Sequence, residues 1–346
     1  MERNVKKTSI PTLEDVAKKA KVSTATVSRC MNSPERVVEK TRQRVLAVVH
    51  EMGYYPNFGA RTLVAKRTNT IGAVIPTMDN AVFSRGIQAF QEALHEKGVT
   101  LLIASSSYRE EIEAEQIRTL ISRGADGLLL IGHHRSEELY QFLNTRRVPA
   151  LTIWAYDTSQ PRPSIGFDNR QAMKVLAEKV ISIGHRSIGI ISAEQETNDR
   201  VRERVSGVRE AMKENGLSPG SLQLIETPYS IMNGNHAFSK LMSRQERPTV
   251  VMCVNDVLAI GALKAAHSLG IRVPEDISIT GFDDIELASV ADPELTTVHV
   301  PHREMGRLAA LTLVDMVNGI PLTESVELMT RLCIRGSLST PPPVKD

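Results

Sequence analysis

The chain has 346 residues, 41% of them hydrophobic and 24% charged, with a formal net charge of +2. This length and composition fit a globular protein of more than one domain, and they exclude a disordered chain and a small disulfide-stabilised one. The first residues contain no apolar signal region, and no stretch approaches about 18 uninterrupted apolar residues, which predicts a cytoplasmic protein with no membrane partner.

The net charge conceals an uneven distribution. Residues 1–67 contain 14 Lys and Arg against 6 Asp and Glu, a net +8, whereas the remainder contains 28 against 34, a net −6. Positive charge concentrated in one short segment is typical of a module that binds duplex DNA. A solvated basic tail is the alternative, but these charges are interleaved with a helical pattern rather than gathered in a block.

The basic segment begins with two helix signals. Thr12 stands three residues before the carboxylate of Asp15, a spacing that predicts a capped helix start. Ser23 is a second capping residue and opens a predicted helix over 24–31. Two short helices joined by a three-residue turn indicate a helix-turn-helix. A third helix is predicted over 41–52 and would close a small core.

From residue 70 onward, short apolar runs alternate with helical patterns, which is typical of an α/β fold. Strands are predicted over 71–75, 100–104, 127–131, 150–153, 164–167, 187–192, 222–226, 250–254, 277–282 and 295–298. Helices are predicted over 84–97, 110–123 and 136–145. Two doubly wound halves of about five strands each fit this length better than a single sheet does.

Several of these segments resemble one family. The run Leu13-Glu-Asp-Val-Ala-Lys-Lys-Ala-Lys-Val-Ser-Thr-Ala-Thr-Val-Ser-Arg29, followed by Gly53-Tyr-Tyr-Pro-Asn57 and Ala60-Arg-Thr-Leu63, closely resembles the LacI/GalR family of bacterial transcriptional regulators. The downstream runs Gly184-His-Arg-Ser-Ile188, Asn255-Asp-Val-Leu-Ala-Ile-Gly-Ala262 and Gly281-Phe-Asp-Asp284 resemble further motifs of that family in the right order. The resemblance therefore covers nearly the whole chain and extends to gluconate- and sugar-responsive members.

The resemblance implies an N-terminal all-α helix-turn-helix domain and an α/β periplasmic-binding-protein-like effector domain made of two doubly wound parallel-sheet subdomains. The implied domains are 1–56 for DNA binding, 57–68 for a hinge helix and linker, 69–340 for effector binding and dimerisation, and 341–346 for a tail. The N-subdomain would comprise 69–167 and 299–327, and the C-subdomain 168–298 and 328–340. The chain would cross between them near 167–169, 298–300 and 327–329.

A helix over 24–31 lying in the major groove would present several side chains to DNA. Arg29 is long enough to donate two hydrogen bonds to a guanine, while Thr24 and Ala25 would meet base edges. Short polar groups on this helix suit phosphate oxygens, although capping or bonding to the chain explains the hydroxyls of Thr26 and Ser28 equally well. The predicted DNA-binding residues are Thr12, Ser23, Thr24, Ala25, Thr26, Ser28, Arg29, Asn32, Asn57, Ala60 and Leu63.

The segment 57–64 spans about two helical turns, a length that is marginal for an isolated helix in water. By the resemblance it is a hinge helix that orders on DNA. Ala60 would allow close approach across a dimer, and Leu63 would wedge into a minor-groove step. A core role for Leu63 is the alternative. A symmetric homodimer on a pseudo-palindromic operator is expected, with dimer contacts from the helix around 85–94 and the face at 116–120.

Loops at the carboxyl ends of parallel strands line a crevice, so an effector between the two halves should meet residues that follow those strands. Family matching places Arg204 as the ligand anchor and Asp283 as an acceptor for ligand hydroxyls. The predicted ligand-binding residues are Asn80, Phe83, Trp154, Phe167, Asp168, Arg204, Tyr229, Asn255, Asp283 and Val300. A surface ion pair with Glu210 is the alternative for Arg204, and core packing is the alternative for Trp154.

Trp154 stands where sugar-responsive members commonly carry an aspartate, so a sugar, a sugar acid, a planar ring and an acidic metabolite all remain open as effectors. Asp256 and Asp284 are interpreted as structural, Asp256 as a helix cap. The adjacent His133 and His134 lack a neighbouring carboxylate or cysteine at chelating spacing, which predicts a polar loop and no metal.

The remaining residues of interest are interpreted as structural. A structural hydrogen bond is expected for His185, and Cys30, Cys253 and Cys333 are expected as reduced packing residues. No cofactor is expected. A solute-binding receptor and an α/β enzyme are the alternative functions, but no phosphate loop or nucleophile elbow supports an enzyme.

Overall fold

The computed structural model describes residues 10–55, 67–79, 81–160 and 162–343. The chain divides into two compact units, Met1–Thr68 and Asn69–Asp346. Four predicted site residues, namely Asn57, Ala60, Leu63 and Asn80, lie outside the described residues, as does the side chain of Asn32.

Within residues 10–55, the first unit contains three α-helices, α1 (Leu13–Ala20), α2 (Thr24–Asn32) and α3 (Glu39–Met52). This confirms the three helices expected from the sequence, although α3 begins two residues earlier than predicted. Their apolar faces enclose one small core, formed by Val16, Ala17, Ala20, Val27, Cys30, Val45 and Tyr54.

Capping fixes the start of the first two helices. The Thr12 backbone N–H donates to Asp15 Oδ2 at 2.9 Å, while the Asp15 N–H donates to Thr12 Oγ1 at 3.2 Å. Ser23 Oγ accepts from the Thr26 N–H at 3.2 Å. α1 ends where Lys21 adopts a left-handed conformation with φ 54°. The turn between the two helices is therefore set by local side-chain chemistry.

The second unit is an α/β structure. Its strands are β1 (Thr70–Ile75), β2 (Thr100–Ser105), β3 (Gly127–Ile131), β4 (Ala150–Ile153), β5 (Ser164–Gly166), β6 (Ile188–Ser192), β7 (Gln223–Glu226), β8 (Val250–Cys253), β9 (Ser278–Thr280), β10 (Thr297–His299), β11 (Val326–Glu327) and β12 (Arg331–Cys333). Its helices are α4 (Ser84–Glu96), α5 (Glu110–Ser122), α6 (Glu137–Arg146), α7 (Asn169–Ser182), α8 (Asp199–Glu214), α9 (Ile231–Met242), α10 (Asp256–Ser268), α11 (Glu286–Val290) and α12 (His302–Val317).

These elements form two halves around separate parallel sheets. The first half has six strands in the order β11-β5-β4-β3-β1-β2, with α12 packed against β3, β4 and β5. The second half has four strands in the order β7-β6-β8-β9, with α8 and α9 packed on β6. β10 and β12 form an additional antiparallel pair. The doubly wound α/β class is confirmed, and the described residues form six and four strands where about five were expected in each half.

The sequence located the ten predicted strands within two residues at either end, because most of them are buried apolar runs. It did not identify β11 and β12, which are two and three residues long and carry mixed side chains. In the described part of the chain, no helix is long and apolar enough to cross a membrane.

Candidate DNA-reading helix and effector cleft

In the first unit, α2 buries one side and exposes the other. Val27 and Cys30 face the core, while Thr24, Ala25 and Arg29 are exposed. The three residues predicted to reach base edges therefore share the exposed side of this helix. Thr12 and Ser23 are also exposed, at the starts of α1 and α2.

The hydroxyl groups near the start of α2 have partners within the chain. Ser23 Oγ and Thr26 Oγ1 lie 2.9 Å apart, in addition to the bond that Ser23 Oγ accepts from the Thr26 N–H. The local bonding that the sequence offered as an alternative for Thr26 is thus present. Ser28 is half-buried and also has an interaction partner.

In the second unit, a small cavity lies between the two halves and has a volume of about 20 Å³. Six of the predicted ligand-binding residues line it: Phe83, Trp154, Arg204, Tyr229, Asn255 and Asp283. Five further lining residues were not predicted: Val82, Tyr108, Asn198, Arg200 and Val201. Cavities of about 770 Å³ and 520 Å³ flank it. We call this central cavity and its lining the cleft.

The cleft residues follow the carboxyl ends of strands, as the parallel topology predicts. Trp154 directly follows β4, Tyr229 follows β7 and Asp283 follows β9. Asn255 follows β8 and caps α10, with its Oδ1 accepting from the Leu258 N–H at 2.9 Å.

Arg204 and Asp283 form the polar centre of the cleft. Arg204 Nη2 lies 3.5 Å from Asp283 Oδ1, and its Nε and Nη1 donate to Asn169 Oδ1 and the Val254 carbonyl oxygen at 2.8 and 2.6 Å. The guanidinium carbon stands 3.7 Å from the centre of the Phe282 ring. The geometry excludes the alternative pairing of Arg204 with Glu210, since Glu210 binds Lys174 instead.

The Asp283 carboxyl is buried and only one of its oxygens is bonded. Oδ2 has no hydrogen-bond partner among the described residues. Burial raises the pKa of Asp283 to about 6, against the opposing attraction of Arg204. An unpartnered buried oxygen is costly, so this atom is suited to accept a hydrogen bond from a ligand.

This raised pKa predicts a pH dependence. Between the ordinary value of 3.8 and about 6, the folded chain keeps a proton on Asp283 that the unfolded chain has lost. Stability from this group therefore falls as pH rises through that window, by about 1.4 kcal/mol per pH unit, and is level on either side. Urea titrations at several pH values across the window give the unfolding free energies of the wild type and of Asp283→Asn. We expect the wild-type value minus the variant value to fall as pH rises from 3.8 to about 6. A difference that does not vary with pH would contradict the assignment.

Trp154 combines the two roles that the sequence left open. Its side chain is 1% exposed, and its ring meets Phe83 edge-on with the ring centres 5.2 Å apart. It also lines the cleft, and its Nε1 has no partner among the described residues. Trp154 is thus both core and cleft wall.

Three predicted ligand residues do not line the cleft. Phe167 is buried and stacks on Phe282 with ring centres 5.9 Å apart. Asp168 caps α7, accepting from the Gln171 N–H at 2.9 Å, and lines the 770 Å³ cavity instead. Val300 is 1% exposed within the core. Packing occupies the side chains of Phe167 and Val300, and capping occupies that of Asp168.

Two structural interpretations are corrected. Asp256 does not cap its helix, because Asn255 does; Asp256 accepts from Thr297 Oγ1 at 2.6 Å and the Ile285 N–H at 2.8 Å. The three cysteines are free, but Cys333 is only half-buried, whereas Cys30 and Cys253 are buried packing residues. The structural interpretation of Asp284 is confirmed, since its oxygens bind His299 Nδ1 and Arg335 Nη2 at 2.8 and 2.7 Å.

The structure places the three histidines that the sequence singled out. His185 Nδ1 and Nε2 lie 2.8 Å from Thr249 Oγ1 and from the Ser339 carbonyl oxygen, which confirms its structural role. His133 and His134 lie in the loop after β3, where His134 contacts Glu110. The described residues contain no group of three His, Cys, Asp or Glu side chains placed to hold a metal ion.

Comparison with known proteins defines the class to which this architecture belongs. Residues 12–57 match the family described as bacterial regulatory proteins, lacI family, and residues 177–338 match the periplasmic binding protein-like domain. The HTH-type transcriptional regulator DegA of Bacillus subtilis (strain 168) is 36% identical over 298 residues, which cover 85% of this chain and 88% of DegA. The HTH-type transcriptional repressor PurR of Vibrio vulnificus (strain CMCP6) is 34% identical over 309 residues, which cover 88% and 92%.

Solved structures of LacI-family regulators have the same fold as this chain. A LacI-family transcriptional regulator from Silicibacter pomeroyi superposes with a TM-score of 0.86 at 25% identity, covering 95% of this chain and 99% of that one. The lac repressor dimer bound to operator and the anti-inducer ONPF superposes with a TM-score of 0.83 at 26% identity, covering 94% and 98%. The chain belongs to the lacI family of bacterial regulatory proteins, and it is a transcriptional regulator with a helix-turn-helix domain and a periplasmic-binding-protein-like effector domain.

Proposed function

We propose that this chain is a cytoplasmic repressor that binds a pseudo-palindromic operator as a homodimer and changes its DNA affinity when a small metabolite enters the cleft. The observation that carries this proposal is the presence of two features in one chain. One is an exposed α2 surface with Arg29 in a segment of net charge +8. The other is a cleft whose buried Asp283 Oδ2 lacks a partner.

The DNA contacts follow from α2. Arg29 reads a guanine, Thr24 and Ala25 meet neighbouring base edges, and the hydroxyl-bearing residues Thr12, Ser23, Thr26 and Ser28 contact phosphates. Asn32, on the same helix, has a short polar group that suits a phosphate oxygen, whereas Asn57, Ala60 and Leu63 are assigned to DNA by the family resemblance. One helix-turn-helix reads few base pairs, which favours a dimer on two half-sites.

The effector contacts follow from the unpartnered atoms. Asp283 Oδ2 accepts a hydrogen bond and Trp154 Nε1 donates one. A ligand hydroxyl can do both, and the rings of Phe83, Trp154 and Tyr229 offer apolar faces to a carbon skeleton. Two related structures, the regulator CelR with cellobiose and an Enterococcus faecium regulator with bound ribose, contain carbohydrate ligands. We therefore propose a hydroxylated metabolite that is bound and not converted.

The test begins by selecting duplexes from a random library with the full chain. We expect a two-fold symmetric site in a footprint, and an operator affinity that changes roughly five- to 150-fold with one member of a panel of sugars, sugar acids, nucleobases and aromatic acids. The panel compound should be recovered unchanged. Failure to enrich any duplex, with or without the panel, would refute the regulator; turnover of the bound compound would add an enzymatic function.

A further inference from the structure

At one side of the cleft, the loop after β3 contacts the beginning of α8. The His133 backbone N–H donates to Asp199 Oδ2 at 2.6 Å. Arg200 Nη1 donates to the Ile131 carbonyl oxygen at 3.1 Å and lies 3.0 Å from Asp199 Oδ1. We call these contacts, among Ile131, Gly132, His133, Asp199 and Arg200, the clasp.

The clasp joins the two halves of the second unit. β3 is a strand of the six-stranded sheet, whereas α8 packs on the four-stranded sheet. The His133–Asp199 and Arg200–Ile131 bonds therefore run between halves, and both must break if the halves move apart. The proposed ligand contacts of Asp283 and Trp154 do not involve these bonds, although Arg200 also lines the cleft.

Burial makes these contacts strong. The side chains of Asp199 and Arg200 are only 14% and 10% exposed. Burial alone would raise the pKa of Asp199, but Arg200 and the His133 N–H outweigh it, so that this pKa is lowered and the carboxylate stays charged. A hydrogen bond to a charged group in a partly dry site is stronger than a neutral one.

Gly132 is required at the centre of the clasp. Its φ of +71° is rarely adopted by residues with a side chain. A Cβ at this position would also overlap the guanidinium of Arg200 and the carboxylate of Asp199. The loop therefore approaches α8 as closely as it does only because no side chain intervenes.

The size of the cleft shows what the clasp controls. A volume of about 20 Å³ holds about one water molecule, whereas metabolite sites span roughly 300 to 1,000 Å³. Cavities of about 770 and 520 Å³ adjoin it, but a metabolite can occupy the central cavity between Asp283 and Trp154 only when that cavity widens. We propose that the clasp stabilises the closed arrangement of the two halves and so sets the free energy that an effector's entry must overcome. This inference rests on the proposed function for the statement that an effector uses this cleft.

The chain contains its own reporter of cleft opening. Trp154 is its single tryptophan, is 1% exposed and lines the cleft. Quenching of its fluorescence by acrylamide therefore measures access to the cleft, with the full chain and without DNA or effector. Loss of a hydrogen bond to a charged group shifts an equilibrium roughly ten- to a hundredfold, enough to make a minor open state substantial.

The decisive variant is Asp199→Asn, which keeps the size of the side chain and removes its charge without changing a residue that lines the central cavity. Arg200→Gln is the second variant. The matched control is Arg202→Gln, on the same helix, because Arg202 donates to the carbonyl oxygens of Gln195 and Glu196 within its own half.

We expect the quenching constant of Trp154 to rise about threefold or more in Asp199→Asn and Arg200→Gln, and to match the wild type in Arg202→Gln. Far-UV circular dichroism confirms that each variant is folded. If Asp199→Asn is folded and Trp154 stays as protected as in the wild type, the clasp does not hold the cleft closed. Absence of operator binding would instead count against the proposed function and would leave this result unaffected.

Discussion

Replacing Arg204 with alanine should lower the free energy of unfolding of the second unit by about 3 kcal/mol or more. The substitution removes the partner of the buried Asp283 carboxylate and leaves the acceptors at Asn169 and Val254 without their donor. Breaking a buried ion pair from one side costs about 3 to 5 kcal/mol, because the remaining charge is uncompensated. Urea unfolding followed by circular dichroism at neutral pH measures the effect.

The control for this experiment is Arg202→Ala. Arg202 lies on the same helix and donates to two backbone carbonyls but has no buried ion-pair partner, so its loss should cost about 1.5 kcal/mol, the low end for hydrogen bonds to a charged group. A second comparison isolates the charge: in an Asp283→Asn background, Arg204→Ala should cost less than it does alone, by roughly 1 to 3 kcal/mol. Equal costs in the two backgrounds would show that Arg204 stabilises the fold through its other contacts only.

Replacing Arg29 with alanine should weaken binding to the selected operator by about ten- to 150-fold. A bidentate contact to guanine contributes roughly 1 to 3 kcal/mol of discrimination, and Arg29 is exposed on the helix that carries it. Binding to a scrambled duplex of equal length should fall far less, because that binding depends on total charge. Fluorescence anisotropy with both duplexes at one salt concentration separates these effects.

Arg42→Ala is the matched control, since it removes the same charge from α3, where Arg42 lies 3.4 Å from Glu39. It should lower the affinity for both duplexes by a similar small factor. If Arg29→Ala also reduced the two affinities equally, Arg29 would be a phosphate contact and the reading of sequence would belong to other residues of α2.

Local signals in the sequence identified much of this fold. Thr12 and Asp15 predicted α1 because a capping box depends on residues three positions apart, and short apolar runs between helical patterns located ten strands. β11 was not found because its pairing with β5 depends on residues more than a hundred positions away. Short strands of this kind are defined by their partners and not by their own side chains.

The cleft was predicted in part. Arg204 and Asp283 came from family motifs, whereas Arg200 was not selected although it lies four residues before Arg204, on the same face of α8. That four-residue spacing was the available signal. Arg202, two residues from each of them, lies on another face of the helix and does not line the cleft. Tyr108 and Asn198 gave no local signal, because only tertiary packing brings their loops to the cleft.

The order of strands has a consequence for how the protein is made. The six-stranded sheet contains both β1, at the start of the second unit, and β11, near the end of the chain. In the same half, α12 packs on α4, which lies some 200 residues earlier in the chain. On a ribosome, all four sheet strands of the second half are therefore synthesised before the first half can finish folding. The helix-turn-helix, with its own core, needs none of these late residues. We expect nascent chains to present a folded DNA-binding domain well before they possess a working sensor, so that synthesis itself separates the two functions in time.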